Sequence, residues 1–271
     1  MKVRAQIRHD STVSVAGLTV NPLSDEDIVR LAGNAIESRT RQIIGHQNLH
    51  GIYLWYHHAK MRHFYEAADY IHIDGMFLIL LANLVGCPLR RKHRGTSLDF
   101  FPLLAPQAIS HGWRIFYLGS RPGVAEKAAD NLRGRFPGLQ IRTHHGHFNA
   151  DKSAEDNQRV LAEIREYAPH ILFVGMGMPR QEIWILENQK EIEANVIFPV
   201  GGFMDYMAGE IPTSPRWLAA IYLEWLYRLF CEPARLWRRY LVEPWFVLAQ
   251  IAKYYLKIGR ANIAVQDSRH E

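Results

Sequence analysis

Short apolar stretches alternate with longer amphipathic stretches over the first 210 residues of the chain. The short stretches predict strands at Gln42–Gly45, Tyr70–Ile73, Arg114–Leu118, Gln140–Thr143, Ile171–Val174 and Val196–Val200. The longer stretches predict helices from Ser24 to Arg39, Pro122 to Arg135, Ser153 to Tyr167 and Pro179 to Lys190. Strands separated by helices of this length are typical of βαβ units. The pattern therefore predicts an α/β fold, with a Rossmann-like, mostly parallel sheet and flanking helices.

The strand pattern stops near residue 210, and the remaining sequence predicts only helices, interrupted at Pro215, Pro233 and Pro244. We expect a catalytic α/β body at 1–210 and a helical appendage at 211–271. Residues 213–260 carry eight basic and three acidic side chains, and the appendage holds four of the seven tryptophans. No apolar run reaches the roughly 18 residues that a membrane span needs. This composition predicts an appendage that associates with an anionic membrane surface.

The overall composition places the protein among globular proteins of a reducing compartment. Hydrophobic residues make up 48% of the chain and charged residues 22%, which excludes a fibrous or wholly disordered protein. Two cysteines cannot form a disulfide framework, and the first residues lack the apolar segment of a secretory signal. We therefore expect a cytoplasmic protein, peripheral on the inner face of the cell membrane.

Two predicted strands run into glycine-rich turns that precede helices. The first turn spans Gly119–Gly123 and the second spans Gly175–Pro179. Each is a candidate phosphate-binding turn, because a helix N-terminus offers free N–H groups and a partial positive charge. Each could also be a tight turn without a ligand. If both turns lie at one edge of the sheet, a ligand site is favoured, since ligands bind at the carboxyl ends of parallel strands.

Two aspartates also follow predicted strands. Asp74 comes directly after Tyr70–Ile73 and precedes a glycine, a position that suits a general base. Asp205 follows the strand that ends at Val200 and could bind ligand hydroxyls. For each, the alternative is a helix N-cap.

We expect no metal site. The run His144-His145-Gly146-His147 looks like a ligand cluster, but adjacent strand residues point to opposite faces, which favours solvated histidines. In the appendage, a helix continuing through Pro233 would place Arg228, Arg235 and Arg239 on one face, with Arg238 beside them. These arginines could bind phosphate oxygens or form a solvated basic face.

The chain resembles the WecG/TagA/CpsF family of glycosyltransferases in six ordered motifs. They are Gly45-His46-Gln47-Asn48-Leu49-His50, Asp74-Gly75, Gly119–Gly123, Gly175-x-Gly-x-Pro-x-Gln181-Glu182, Asp205-x-x-Ala-Gly209, and Leu223–Leu229 followed by Glu232-Pro233-x-Arg235. The resemblance implies that Asp74 is the catalytic base. It implies substrate contacts from His46, Asn48, Gly75, Gly119, Gly175, Gly177, Pro179, Gln181, Glu182, Asp205, Arg228, Arg235 and Arg238.

The resemblance also implies the reaction. Family members move a sugar from a UDP-sugar donor to a polyprenyl-diphosphate-linked sugar acceptor, without a cofactor. The Asn48-Leu49-His50 sequence is similar to the branch that adds glucose in exopolysaccharide assembly of the xanthan type. We therefore expect an inverting, metal-independent glucosyltransferase. Its partners would be the donor, the acceptor, the membrane face and a second copy of the chain, and not nucleic acid.

Two other functions remain as alternatives. One is transfer of N-acetylmannosamine or its uronate by a member of the same family. The other is a nicotinamide-dependent oxidoreductase on a Rossmann-like sheet, although the chain lacks a complete G-x-G-x-x-G fingerprint.

Overall fold

The computed structural model describes residues 12–267, apart from 16, 85, 88, 216, 217 and 219–222. An antiparallel hairpin of two short strands, β1 (Val13–Val15) and β2 (Leu18–Val20), precedes a six-stranded sheet whose paired strands are all parallel. The sheet strands are β3 (Gln42–Gln47), β4 (Tyr70–Ile73), β5 (Arg114–Gly119), β6 (Gln140–His144), β7 (Ile171–Gly175) and β8 (Val196–Pro199). The predicted α/β fold is confirmed.

Helices connect these strands and complete the chain. In the body they are α1 (Asp25–Glu37), α2 (Leu49–His57), α3 (Ala59–Ala67), α4 (Met76–Leu84), α5 (Ser97–His111), α6 (Val124–Arg135), α7 (Glu155–Tyr167), α8 (Arg180–Asn188) and α9 (Phe203–Met207). Among the described residues beyond 210 they are α10 (Glu224–Cys231), α11 (Pro233–Trp237) and α12 (Glu243–Asp267). A 3₁₀ turn spans Arg91–His93, and a π-helical turn spans Arg238–Val242.

Helix α1 shows how local sequence fixes one of these boundaries. Ser24 accepts a hydrogen bond from the Asp27 backbone N–H at 3.2 Å, and the Asp27 carboxylate accepts from the Ser24 N–H at 3.0 Å. This reciprocal capping box satisfies two N–H groups that the first turn leaves without helical partners. The predicted start of this helix at Ser24 is therefore confirmed.

The sheet separates two apolar layers. Ile115 and Tyr117 of β5 pack into one layer with α1, α5, α6 and α9, whereas Phe116 and Leu118 pack into the other with α2, α3, α4, α7 and α8. Alternate side chains of a strand point to opposite faces, and both faces of this sheet are covered by helices. All four side chains are fully buried.

The strand order β4-β3-β8-β7-β5-β6 positions the site. The chain passes outward from β3 to β4 at one side, then crosses to β5 and passes outward to β6 at the other side. Strands β7 and β8 later fill the space between β3 and β5. In open parallel sheets, a reversal of this kind leaves a crevice at the carboxyl ends of the strands, where ligands bind.

The last helix packs on the body. Val247 and Ile251 of α12 belong to the apolar layer that also holds Ile52 of α2, and Val247 is fully buried. One histidine–carboxylate hydrogen bond and one ion pair tie the appendage to the body. His50 Nδ1 lies 2.6 Å from Glu243 Oε2, and Arg94 Nη2 lies 3.0 Å from Glu224 Oε2.

Two prolines bear on the predicted helices of the appendage. The predicted interruption at Pro233 is confirmed, because α10 ends at Cys231 and Pro233 begins α11. No single helix therefore continues through Pro233 to place the arginines on one face. Proline has no N–H to donate, so it fits a first helical turn and not a helix interior. Pro244 does not interrupt a helix, since it lies in the first turn of α12. Within the described residues, no helix has the length and apolar character to cross a bilayer.

We predict that Val247→Ala lowers the free energy of unfolding by about 2 kcal/mol, because truncation of a fully buried side chain leaves a cavity. Val242→Ala is the matched control, since Val242 is 48% exposed and its truncation should change stability by less than about 0.5 kcal/mol. Urea unfolding of both variants measures the difference. Equal stability of the two would mean that α12 is not part of the core.

Candidate active site

A cavity of about 970 Å³ opens at the carboxyl edge of the sheet. Its wall is formed by residues that follow β3, β4, β5, β7 and β8 and by side chains of the appendage. Ten residues for which the sequence implied catalysis or substrate contacts line it: His46, Asn48, Asp74, Gly175, Gly177, Gln181, Asp205, Arg228, Arg235 and Arg238. The structure therefore brings together residues that lie up to 192 positions apart in the chain (238 minus 46).

The register between β3 and β4 places Asn48 beside Asp74. Gln47 lies opposite Ile73, and the Asp74 N–H donates to the Gln47 carbonyl at 2.8 Å. Asn48 and Asp74, which follow Gln47 and Ile73, therefore leave the sheet side by side. The Asp74 side chain is 33% exposed, and its hydrogen-bond partner within the described residues is the Asn48 side chain and not the backbone of α4. This geometry does not match the N-cap alternative for Asp74.

Asn48 has two contacts that fix its orientation. It is the N-cap of α2, and its Oδ1 accepts from the Gly51 N–H at 3.0 Å. Its Nδ2 lies 3.4 Å from Asp74 Oδ2 and donates toward it. Because the helix cap occupies the carbonyl end of the amide, the NH₂ end is turned toward the carboxylate.

His46 faces the same carboxylate from β3. Its Nδ1 lies 3.0 Å from the Pro199 carbonyl, which can only accept, so Nδ1 carries the proton. Its Nε2 lies 3.9 Å from Asp74 Oδ2. The adjacent His72 is buried, and burial, together with the nearby His46, lowers the pKa of His72 to about 3. His72 is therefore a neutral part of the wall behind the site.

The two glycine-rich turns meet at neighbouring strands. Gly119 pairs with Gly175 in the parallel register of β5 and β7, so both turns lie at the same edge of the sheet. A Cβ at Gly119 would lie 2.3 Å from the Gly175 carbonyl oxygen, and a Cβ at Gly175 would lie 2.2 Å from the Tyr117 hydroxyl. These glycines allow close packing of the two turns.

Gln181 holds the turn after β7 against the turn after β8. Its Oε1 accepts from the Gly177 N–H at 3.1 Å and from the Gly201 N–H at 3.0 Å, and its Nε2 donates to Glu182 Oε1 at 2.7 Å. Gln181 and Glu182 are buried, and burial raises the pKa of the Glu182 carboxyl. The amide of Gln181 therefore fixes the shape of the cavity wall through both turns.

Asp205 lies across the cavity. It is the third residue of α9, whose N-cap is Gly202, so the N-cap alternative for Asp205 does not describe this structure. Burial raises the pKa of its carboxyl, and a hydrogen bond from the Ser120 hydroxyl opposes that shift. Ser120 was not predicted as a site residue, although it lies in the first glycine-rich turn and lines the cavity.

The appendage contributes four guanidinium groups to the cavity, those of Arg228, Arg235, Arg238 and Arg239. Arg228 is half-buried, its guanidinium lies 5.9 Å from the centre of the Tyr206 ring, and its Nε has no hydrogen-bond partner among the described residues. Arg235 is exposed and its Nε donates to Glu232 Oε1 at 2.9 Å. These four cations come from outside the α/β body, from a segment that also brings Glu224, Glu232 and Glu243 to the cavity.

Arg239 was not assigned a substrate contact from the sequence. Burial lowers its pKa and the charge of Arg228 adds to this effect, whereas Asp74 acts in the opposite direction. Arg239 is therefore close enough to Asp74 for the two charges to interact. The sequence shows the pair Arg238-Arg239 but not which of the two is buried. In the structure Arg239 is the more buried one, and both lie in the π-helical turn that begins at Arg238.

Four residues with sequence-implied substrate contacts do not line the cavity: Gly75, Gly119, Pro179 and Glu182. Gly119 and Glu182 contact other residues of the wall, as described above. Pro179 is the N-cap residue of α8, which begins at Arg180. Gly75 separates Asp74 from α4 and lies near the Asn48 side chain. These four residues are therefore neighbours of the lining residues and not part of the lining.

Two sequence features bear on metal binding. In the histidine run, Gly146 and His147 line the cavity, while the rings of His144 and His145 lie 4.5 Å apart. An Asp-x-Asp sequence, Asp25-Glu26-Asp27, begins α1, but Asp27 serves its capping box and neither aspartate lines the cavity. Within the described residues, no three His, Cys, Asp or Glu side chains form a metal-binding group.

The sequence profile of one glycosyltransferase family matches almost the whole chain. It is described as the glycosyl transferase WecG/TagA/CpsF family, and the match covers residues 13–261. The chain belongs to this family, and it is therefore a glycosyltransferase.

Characterised relatives share about two thirds of their length with this chain. One is the N-acetylglucosaminyldiphosphoundecaprenol N-acetyl-beta-D-mannosaminyltransferase of Bacillus spizizenii, which is 31% identical over 184 residues, 68% of each chain. A protein of the same name from Staphylococcus aureus is 28% identical over 195 residues, 72% of this chain and 73% of its own.

We predict that Asp25, the first aspartate of the Asp-x-Asp sequence, makes the stability of the protein depend on pH. Burial, with the charges of Asp99 and Glu26, raises the pKa of Asp25 from 3.8 to about 7. Between about pH 4 and pH 7 the folded protein therefore keeps a proton on Asp25 that the unfolded chain releases. The free energy of unfolding falls as pH rises across this range, because the folded state binds more protons than the unfolded state. Asp25→Asn cannot lose that proton, so the Tm of the variant relative to wild type should be higher at pH 8 than at pH 4. A Tm difference that is the same at both pH values would contradict the assignment.

Proposed function

We propose that the protein transfers a hexose from a UDP-sugar to a polyprenyl-diphosphate-linked sugar, with Asp74 as the general base. The observation that carries this proposal is the cavity itself. It holds a strand-end carboxylate, oriented by Asn48, and a cluster of appendage arginines. A sugar hydroxyl needs a base, and a departing diphosphate needs cations. The two kinds of group line one space.

The proposed chemistry is a single displacement. Asp74 removes the proton of the acceptor hydroxyl while the hydroxyl oxygen attacks the anomeric carbon of the donor. The bond from that carbon to the UDP oxygen breaks, UDP leaves, and the configuration inverts. The Asn48 amide holds the Asp74 carboxylate, and His46 bounds it from β3. A base fixed by neighbours in this way needs little reorganisation during the reaction.

The leaving diphosphate carries the charge that catalysis must stabilise. Arg228 and Arg239 are half-buried, so their charges are less screened than those of fully exposed arginines. Arg228 lines the cavity, and a guanidinium can donate to phosphate oxygens. The turns before α6 and α8 add helix N-termini on the opposite side of the cavity. We propose that these groups make the reaction metal-independent.

The identity of the donor has support from two sources. The names of the two relatives describe N-acetylmannosaminyl transfer to N-acetylglucosaminyl diphosphoundecaprenol, which favours an N-acetylmannosamine donor and this type of acceptor. These names give no support to glucose or to exopolysaccharide assembly. Glucose remains a second candidate because of the Asn48-Leu49-His50 sequence. The family match favours glycosyl transfer over the nicotinamide-dependent oxidoreductase.

A membrane-bound acceptor requires the protein to work at a bilayer surface. The appendage has exposed aromatic side chains, among them Trp237 at 47% and Trp245 at 72%. Together with its basic residues, they support peripheral binding to the cytoplasmic face of the membrane. We propose this location together with the function.

A donor panel tests the proposal. Purified protein would be mixed with a short-chain prenyl-diphosphate N-acetylglucosamine and either UDP-N-acetylmannosamine, UDP-N-acetylglucosamine or UDP-glucose. Mass spectrometry would identify the product, and a parallel series with prenyl-diphosphate glucose tests the other acceptor. We expect transfer of N-acetylmannosamine. Transfer of glucose alone would select the second candidate, and release of no UDP from any pair would contradict hexosyl transfer.

We predict that Asp74→Asn reduces turnover by about 10²–10⁴, the usual contribution of a general base. UDP binding should stay near wild type, because the amide keeps the shape of the carboxylate. Asp130→Asn is the matched control, since the Asp130 side chain is 75% exposed on α6 and should leave turnover unchanged. Turnover of the Asp74 variant within a few-fold of wild type would remove Asp74 from the mechanism.

We predict that turnover persists after removal of divalent cations, because arginines and helix N-termini meet the diphosphate charge. The measurement compares initial rates in EDTA with those in added magnesium or manganese. A rate that vanishes in EDTA and returns with either metal would show that the arginines are insufficient.

We predict that the arginines and tryptophans of the appendage have separable roles. Arg228→Ala and Arg239→Ala should lower kcat on a soluble acceptor by about 10²-fold or more, with little loss of vesicle binding, because each removes a cation at developing charge. Trp245→Ala should weaken vesicle binding with little change in kcat.

Lys253→Ala is the matched control for charge, because Lys253 is an exposed appendage cation that does not line the cavity. If all three cation variants had the same kcat, the arginines would have no catalytic part. Point variants are preferable to truncation, since removal of α12 would uncover the apolar layer beneath Val247.

A further inference from the structure

Helix α4 is apolar on its outer face as well as on its inner face. Its buried side chains are Leu78, Ile79, Leu81 and Ala82. Its outward side chains are Phe77, Leu80 and Leu84, which are 43%, 39% and 81% exposed. The spacing i, i+3, i+7 places these three on one side of the helix. Packing in the body explains the inner face only.

A basic segment follows the helix directly. Residues 75–98 contain no Asp or Glu and four Lys or Arg residues. Arg94 is paired with Asp99 and Glu224, whereas Arg90, Arg91 and Lys92 are exposed. The Asn83 side chain exchanges two hydrogen bonds with the backbone of Leu89, at 2.8 and 3.1 Å, so the segment that leads to Arg90 is tied to the last turn of α4. The exposed apolar side chains and the exposed cations thus lie on two adjacent, hydrogen-bonded segments, which together are called this face.

This face lies beside the cavity. Helix α4 begins two residues after Asp74, and a β-bridge between Ile73 and Arg94 returns the basic segment to the end of β4. Arg94 and Leu98 line the cavity. The segment that carries the exposed face therefore starts and ends at the cavity wall.

We propose that this face, formed by Phe77, Leu80, Leu84, Arg90, Arg91 and Lys92, docks on an anionic phospholipid bilayer and is a membrane-binding surface separate from the appendage. Apolar side chains flanked by cations match a surface with negative headgroups over an apolar interior. A second copy of the chain is a poorer occupant. In a two-fold interface the same patch meets itself, which would bring three exposed cations of each copy toward those of the other.

The inferred docking orients the cavity. The α4 side chains would enter the boundary between headgroups and acyl chains, so the end of β4 would face the bilayer. If the proposed function holds, a lipid-linked acceptor could then pass from the bilayer to Asp74 along the basic rim, without leaving the membrane. The docking itself does not rest on the proposed function.

The test is flotation of the full-length protein with vesicles of phosphatidylcholine, with or without 30% phosphatidylglycerol. We expect the triple variant Phe77→Ser, Leu80→Ser, Leu84→Ser to reduce partition into both vesicle types by about tenfold or more. The triple variant Arg90→Gln, Arg91→Gln, Lys92→Gln should reduce partition into the anionic vesicles by a similar factor, and less at high salt.

Matched controls come from other exposed positions. Leu103→Ser changes a 42% exposed leucine on α5 and is compared with Leu84→Ser alone. Lys152→Gln, Arg159→Gln, Arg165→Gln removes three exposed cations near α7 and is compared with the basic triple variant. Each variant is measured in two backgrounds, the wild type and a protein that carries Trp237→Ala and Trp245→Ala. The second background weakens membrane binding by the appendage, so that this binding cannot hide the effect of the α4 and basic-segment variants. Far-UV circular dichroism and Tm confirm that each variant is folded.

Partition that is unchanged for folded α4 variants in both backgrounds would overturn the proposal. A loss of oligomer mass in light scattering, with vesicle binding unchanged, would assign the face to a second copy. The α4 variants should also keep their kcat on a short-chain soluble acceptor. This readout separates the two proposals, because an inactive wild type would reject the proposed function while the vesicle measurement still tests the docking.

Discussion

The parallel pairing of β3 with β4 and β8 determines where His46, Asn48 and Asp74 lie. Hydrogen bonds along β4 set Gln47 beside Ile73, so Asn48 and Asp74 leave the sheet side by side. On the other edge of β3, His46 reaches the carbonyl of Pro199 at the end of β8. A shift of one residue in this register would turn each of these side chains to the opposite face of the sheet. The apolar layers prevent such a shift, since Ile43 and Ile44 are buried in different layers.

The appendage adds charges to a cavity whose body residues already carry both signs. Asp74 and Asp205 come from the body, as do Arg94, Arg121 and Arg180. The four appendage arginines come from the segment that runs from α10 to the start of α12. That segment is held at both ends, by Arg94 with Glu224 and by His50 with Glu243. The position of the arginines therefore depends on the packing of α12, because Glu243 begins the helix that buries Val247.

Much of the fold could be predicted from the sequence, and the physical reasons for the exceptions are specific. All six sheet strands were predicted because buried parallel strands give short apolar runs between helices. The hairpin of β1 and β2 was missed, since strands of three residues carry little pattern. Helix α5 contains Pro102 and Pro106, which argue against a helix in any local reading. In the site, Asp74 and Asn48 could be found from their motifs. Arg239 could not, because only the π-helical turn decides which of two adjacent arginines turns inward.

The pairing of β3 with β8 also has a consequence for synthesis of the chain. Gln42 of β3 pairs with Val196 of β8, so the centre of the sheet stays open until most of the polypeptide has been made. Contacts between segments so distant in sequence form late, after the entropy of closing a long loop has been overcome. The arginines follow later still, and α12 is the last described helix to leave the ribosome. A nascent chain therefore cannot hold a complete site before the segment that carries Arg228 and Arg239 has left the ribosome.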